Sequence, residues 1–232
     1  MTSQLSEFKL LDRGFQEVLL LIPGWATDHK IFMNMNLRYN YLLPIQLHPF
    51  HFEKELLRWV EENSVNSISL FGWSLGGFLA CDVASKNPDW IGELILVSIH
   101  RGFEPNEIES VRINLKKNRK AFLYKFYLEC FSQTDSEGLT WFKKHLLEKY
   151  LKQAEEGLRD GLDYLSDAKI NPDALTNIQK IRIFHGEEDT IAPLKEARDI
   201  SNLLPQAVFC PLKSLGHIPF LNHTFKERFN NG

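Results

Sequence analysis

Residues 67–85 read Ser67-Ile-Ser-Leu-Phe-Gly-Trp-Ser74-Leu-Gly-Gly-Phe-Leu-Ala-Cys-Asp-Val-Ala-Ser85. Ser67 to Phe71 predicts a short buried strand. The small-residue run from Leu75 to Ser85 predicts a helix. Between them, Gly72-Trp73-Ser74-Leu75-Gly76 matches the G-x-S-x-G pattern of a nucleophile on a sharp strand-to-helix turn. Glycines flank the serine because side chains there would collide with the strand or the helix. Such a turn lifts the Ser74 hydroxyl above the sheet, at the positive end of the following helix. The alternative is a tight turn with an incidental serine. The strand before the motif and the helix after it favour the nucleophile.

Working outward, Val18 to Ile22 is a continuous apolar run stopped by Pro23-Gly24, which predicts a buried strand ending in a sharp turn. Tyr41 to Gln46 is a weaker strand, broken by Pro44. Phe52 to Asn63 places Leu56, Leu57 and Val60 at helical spacing among charges. Glu93 to Ser98, Lys180 to His185 and Ala207 to Cys210 are further strands. Strands alternating with helices predict an α/β fold, a mostly parallel central sheet with helices on both faces. From Pro105 to Lys169 no strand is legible. Helical periodicity runs through Leu115, Phe122, Phe126, Leu146, Tyr150, Leu158 and Leu162. The 232 residues are therefore read as one domain, with core 1–104 and 170–232 and a helical cap over 105–169.

Composition fits that reading. The chain is 44% hydrophobic and 25% charged, with 27 basic and 30 acidic residues and a net charge of −3. Disordered and fibrous classes are excluded, and nothing global points to nucleic acid or an anionic membrane. Cys81, Cys130 and Cys210 are too widely spaced for a disulfide framework or a zinc pattern, and a reducing, cytoplasmic compartment is expected. Met1 to Gly14 lacks the apolar stretch of a signal peptide. The 17 Phe, 6 Tyr and 5 Trp hint at an apolar pocket or a Phe-rich core. A monomer is expected, with no metal or organic cofactor.

A neutral serine hydroxyl needs a base. His217, in Leu215-Gly-His-Ile-Pro-Phe220 after the last strand, fits the order serine, acid, histidine along the chain. His29, His48, His51, His145 and His223 read as surface residues, His185 as structural, and His100 as a residue that could line a pocket. The acid is expected in His185-Gly-Glu-Glu-Asp-Thr-Ile-Ala-Pro193. Asp189 fits best, because a short side chain at a turn reaches a histidine rigidly, whereas Glu187 and Glu188 read as solvated. For the oxyanion, the backbone N–H of Leu75 is one candidate donor and that of Trp25 the other. Pro23 has no N–H to offer. Trp25 could instead be a buried aromatic that anchors its loop.

Together these residues resemble the α/β-hydrolase fold. The closer resemblance is to the BioH-type pimeloyl-acyl-carrier-protein methyl ester esterases of biotin synthesis. It is carried by Gly24-Trp25, Gly72 to Gly77, the Gly186 to Pro193 loop, Gly216 to Phe220, and a Leu158 to Leu165 segment like that family's cap exit. The resemblance implies a serine carboxylesterase with Ser74 as nucleophile, Asp189 as acid and His217 as base. It implies Trp25 and Leu75 as oxyanion and substrate contacts. It also implies Phe122, Leu123, Tyr124, Lys125 and Phe126 as part of a substrate channel, although the register is open, because Phe126-Tyr127-Leu128 could serve instead of Phe122-Leu123. Pro23 departs from relatives that carry histidine there. The stretch containing Arg112, Lys116, Lys117, Arg119, Lys120 and Lys125 has no acidic residue from Arg112 to Lys125. It reads either as a solvated helix face or as a dock for an acidic acyl carrier protein. A general short-chain carboxylesterase or thioesterase, a menaquinone-pathway hydrolase and a catalytically silent binding protein are the competing readings.

Overall fold

The computed structural model describes residues 6–230. Residues 1–5, the start of the opening stretch discussed above, and residues 231–232 lie outside the described residues. The strands are β1 (Glu7–Leu11), β2 (Val18–Ile22), β3 (Asn40–Gln46), β4 (Ile68–Trp73), β5 (Ile91–Val97), β6 (Ile181–Gly186) and β7 (Ala207–Leu212). They form one sheet in the order β1-β3-β2-β4-β5-β6-β7. β1 pairs antiparallel with β3, and every other pairing is parallel. This is the α/β-hydrolase architecture expected from the sequence.

The central strands are apolar along their whole length because both faces are covered. β4 and β6 are buried at every position and β2 at all but Val18. Each buried Leu, Ile or Phe contributes about 1.5–3 kcal/mol by leaving water. Much of the Phe surplus lies in this core rather than around a pocket. Phe32, Phe71, Phe225, Phe184 and Phe229 form a continuous series of rings with centroids 5.0–6.0 Å apart. β1 is absent from the sequence reading. It is an edge strand with four of five residues exposed, so it lacks the buried alternation that marks a strand.

α1 (Phe52–Glu62) packs against α2 (Leu75–Lys86), which lies on β4 and β5. α7 (Leu194–Asn202) packs on β6 and β7, and α8 (His223–Asn230) on β7. Between β5 and β6 come α3 (Pro105–Glu129), α4 (Ser136–His145), α5 (Leu147–Tyr150) and α6 (Glu155–Asp167), with no strand among them. α3 is bent at Asn118 (φ −160°, ψ 88°), whose side chain accepts a hydrogen bond from the Ala121 amide at 3.1 Å. The bend restarts the helix in the middle of the basic stretch, with Asn118 as N-cap of its second half. Among the described residues, no helix is long and apolar enough to cross a membrane.

A buried ion pair joins two central strands. Glu93 of β5 and Arg182 of β6 are 2% and 5% exposed. The guanidinium meets the carboxylate through Nε at 2.5 Å and Nη2 at 3.0 Å, and Nη1 donates to the Phe229 carbonyl at 2.8 Å. No sequence pattern flagged this pair, because its members are 89 residues apart.

Candidate active site

The end of β4 runs into Ser74, whose backbone is left-handed (φ 55°, ψ −117°). The Ser74 amide donates to the Val97 carbonyl at 3.0 Å, which pins the turn to β5. The flanking glycines are required by contact. A Cβ on Gly76 would lie 2.2 Å from the Ile22 carbonyl oxygen, and one on Gly72 would lie 2.4 Å from that of Gly76. The start of α2 therefore presses directly against the end of β2.

His217 is held at both ends of its backbone. Its amide donates to the Cys130 carbonyl at 2.7 Å, just past the end of α3. Its carbonyl accepts from the Trp73 indole at 2.7 Å. The ring is thereby set between two partners: Nε2 lies 2.9 Å from Ser74 Oγ and Nδ1 lies 2.8 Å from Asp189 Oδ2. A carboxylate accepts, so Nδ1 carries the proton and Nε2 is left as an acceptor for the Ser74 hydroxyl. The structure thus brings Ser74, His217 and Asp189 into one hydrogen-bonded chain. The tryptophan before the serine, noted in the sequence only as part of a motif, has a specific contact that spans 144 residues.

Asp189 uses both carboxylate oxygens. Oδ1 accepts from the Ile191 and Ala192 amides, each at 2.9 Å, and Oδ2 takes the His217 contact. Burial alone would raise its pKa, but the charge and hydrogen bond of His217 hold the carboxyl below its usual 3.8. Glu187 and Glu188 are exposed. His185 lies beneath this turn, fully buried. Its Nε2 is 2.7 Å from the Ala192 carbonyl oxygen and 3.4 Å from Asp189 Oδ2, while Nδ1 has no partner among the described residues. A carbonyl only accepts, so Nε2 bears the hydrogen.

Burial depresses the His185 pKa below its usual 6.5, which gives a prediction. Above pH 6.5 the ring is neutral in both the folded and the unfolded chain. As pH falls below that, the unfolded chain takes the proton first, so stability is lost with a slope of up to about 1.4 kcal/mol per pH unit. His185→Gln will flatten this loss between pH 6.5 and 5, as read from urea midpoints of the two proteins.

Gly24 packs against this centre. A Cβ there would lie 2.9 Å from the Trp73 ring and 3.2 Å from Ser74 Cβ. The structure gives Trp25 the loop-anchoring contacts and leaves its backbone amide free, among the described residues, to act as a donor. Its indole anchors the loop by donating to the Leu158 carbonyl at 2.8 Å and meeting Phe126 edge-on at 5.1 Å. Its backbone amide makes no hydrogen bond among the described residues. The Leu75 amide, first in α2, has no intrahelical acceptor either. A cavity of about 130 Å³ opens beside Gly24, Trp25, Leu75 and Gly161. A larger open cleft of about 720 Å³ is lined by Tyr124, Lys125, Phe131, Asp189 and Thr190, and neither Ser74 nor His217 lines either cavity.

The segment Phe122 to Phe126 is divided by helical periodicity, since five consecutive residues cannot share one face. Phe126 meets Trp25, and Phe122 stacks on Phe126 one turn away. Leu123 is fully buried in the core, whereas Tyr124 and Lys125 point into the larger cleft. The basic stretch divides as well. Arg112 pairs with Asp163 at 2.5 Å and Lys125 with Glu129 at 3.5 Å. Lys116, Lys117, Arg119 and Lys120 form no ion pair among the described residues. Arg112, Lys116 and Arg119 rim a groove of about 220 Å³ between α3 and α6, floored by Leu115, Leu158 and Leu162. Arg159 and Glu155 of α6, which the sequence reading omitted, complete that rim, so four basic residues and one acidic residue line it.

The remaining histidines are outside this arrangement. His100 stacks on Phe103 and accepts from the Gly102 amide. His48 stacks on His51, His29 is half-buried, His145 is exposed, and His223 pairs with Glu137 on the surface.

No family model matches the chain. It is 26% identical over 193 residues to the biotin biosynthesis bifunctional protein BioHC of Teredinibacter turnerae, a match over 75% of this chain that spans about a third (33%) of that longer protein. It is 25% identical over 241 residues to the pimeloyl-[acyl-carrier protein] methyl ester esterase of Photobacterium profundum, covering 88% of this chain and 89% of that protein. Among solved structures, an esterase from Exiguobacterium antarcticum superposes with a TM-score of 0.81 at 17% identity, over 97% of this chain and 93% of that one. The chain is an α/β-hydrolase in fold, similar in sequence to the pimeloyl-acyl-carrier-protein methyl ester esterases.

Proposed function

We propose that the protein is a serine carboxylesterase that hydrolyses the methyl ester of a pimeloyl group carried on an acyl carrier protein. The observation that carries this reading is the hydrogen-bonded chain from Ser74 Oγ to His217 Nε2 at 2.9 Å and from His217 Nδ1 to Asp189 at 2.8 Å. In this mechanism His217 takes the Ser74 proton as the oxygen attacks the ester carbonyl. Asp189 pairs with the imidazolium that forms. The Trp25 and Leu75 amides receive the oxyanion. His217 then protonates the departing methanol, and water attacks the acyl-enzyme to release the carboxylate.

The substrate assignment draws on the curated relatives and on the basic rim of Lys116, Arg119 and Arg159, which suits an acidic carrier. Purified protein is expected to release methanol from pimeloyl-carrier methyl ester, and Ser74→Ala to abolish it. Full activity in Ser74→Ala would overturn the mechanism. One observation favours a second reading. The 130 Å³ cavity beside Trp25 and Leu75 is small against the ~300–1,000 Å³ of typical ligand sites, which suits a short-chain carboxylesterase. Rates on short p-nitrophenyl esters and on the carrier-bound ester separate the two.

Gly161 offers a finer check. A Cβ there would lie 2.5 Å from Trp25 Cδ1. Gly161→Ala will therefore push the indole away from α6 and shift the Gly24–Trp25 turn. Displacement of this size costs about tenfold to a hundredfold in kcat, measurable on p-nitrophenyl butyrate.

A further inference from the structure

The turn that follows β2 is clamped by hydrogen bonds that the reaction itself does not use. The Thr27 hydroxyl donates to the Gly24 carbonyl at 2.9 Å. The Ala26 carbonyl accepts two donors from the insertion, the Tyr127 hydroxyl at 2.5 Å and the Gln153 side-chain amide at 2.6 Å. Ala26 itself is left-handed at φ 59°, a conformation a non-glycine residue adopts only when its surroundings impose it.

The Gly24 carbonyl and the Trp25 amide belong to the same planar peptide unit and point in opposite directions. A hydroxyl that fixes the carbonyl therefore fixes the direction of the N–H. That N–H has no partner among the described residues, and Gly24 abuts Ser74 Cβ. If the peptide rotated, a carbonyl oxygen would turn toward the place where negative charge develops. Tyr127 is fully buried and Gln153 half-buried, and between them they secure the next carbonyl along.

We propose that Thr27 is a positioning residue that aims the Trp25 amide at the oxyanion, and that Tyr127 and Gln153 of the helical insertion lock the same turn through the Ala26 carbonyl. This rests on the serine-esterase reading above and adds to it a dependence of the oxyanion site on the insertion. The oxyanion site would then be complete only while the insertion is seated on the turn.

The test uses the full chain, p-nitrophenyl butyrate and butylboronic acid, which forms a tetrahedral adduct on an active serine. Thr27→Val keeps the shape of the side chain and removes the donor, and Thr27→Ser keeps the donor. Thr27→Val is expected to lower kcat by about tenfold to a hundredfold, with KM within about twofold, and to weaken butylboronic acid by the same factor as kcat. Thr27→Ser is expected to restore both to within about threefold of wild type. Gln153→Leu, at a half-exposed position that leaves the core untouched, is expected to show a smaller loss of the same kind. Tyr127→Phe combined with Gln153→Leu is expected to approach Thr27→Val. Unchanged kcat and boronate affinity in a folded Thr27→Val protein would overturn the proposal, as would an equal loss in Thr27→Val and Thr27→Ser. The outcomes separate it from the esterase reading. Activity in wild type that is lost in Ser74→Ala upholds that reading whatever the Thr27 variants do. A wild-type protein inert toward both reagents overturns the two together.

Discussion

His217→Ala is expected to lower kcat/KM toward p-nitrophenyl esters by about 10⁴–10⁶-fold, the scale seen when one member of a serine triad is removed. The argument is local. Nε2 at 2.9 Å from Ser74 Oγ has no rival base on the hydroxyl among the described hydrogen bonds. Without it the hydroxyl stays protonated and the leaving alcohol has no acid. The loss should not add to that of Ser74→Ala, because the two residues act as one unit. Asp189→Asn should lose less than His217→Ala, since the imidazole remains but its tautomer and its charged form lose their partner. Steady-state kinetics of the three single variants and the His217–Ser74 double variant check this ordering.

The largest effect on stability is expected at Glu93. Glu93→Ala leaves the Arg182 guanidinium buried between β5 and β6 with only the Phe229 carbonyl and the neighbouring rings for company. Removing one partner of a buried pair costs about 3–5 kcal/mol. For a chain of this size that corresponds to a fall in Tm of about 6–20 °C. Replacing both residues, as Glu93→Met with Arg182→Met, should recover much of the loss, because the unpaired charge disappears with its partner. Thermal denaturation of the single and double variants gives the coupling directly. If Glu93→Ala melts within a degree or two of wild type, the pair is less buried than its contacts imply.

These two sites differ in how far the sequence disclosed them. The strand–Ser74–helix turn is legible because its constraints are local. Gly72 and Gly76 are there to avoid contacts made within one turn of chain and with the neighbouring strand end. The Gly186 to Pro193 and Leu215 to Phe220 loops carry the same kind of glycine and proline marks. The central strands are legible because burial on both faces makes them uniformly apolar, whereas β1, exposed at the sheet edge, has no such pattern. What escaped the reading is long-range. The Glu93–Arg182 pair, the Trp73 indole on the His217 carbonyl and the two donors on Ala26 join residues about 90 to 145 positions apart. Helical phase also mattered. Of the expected channel segment, Phe126 meets Trp25 and Phe122, one turn away, stacks on Phe126, while Leu123 falls into the core.

The central claim is that Ser74 is a nucleophile activated by His217. A fluorophosphonate reacts only with a serine that a neighbouring base has made nucleophilic, so intact-mass analysis followed by peptide mapping reads the claim directly. The account predicts a single adduct on the peptide containing Ser74, none on Ser74→Ala, and labelling of His217→Ala slowed by several orders of magnitude. An unlabelled wild-type protein, or an adduct that persists in Ser74→Ala, would contradict it.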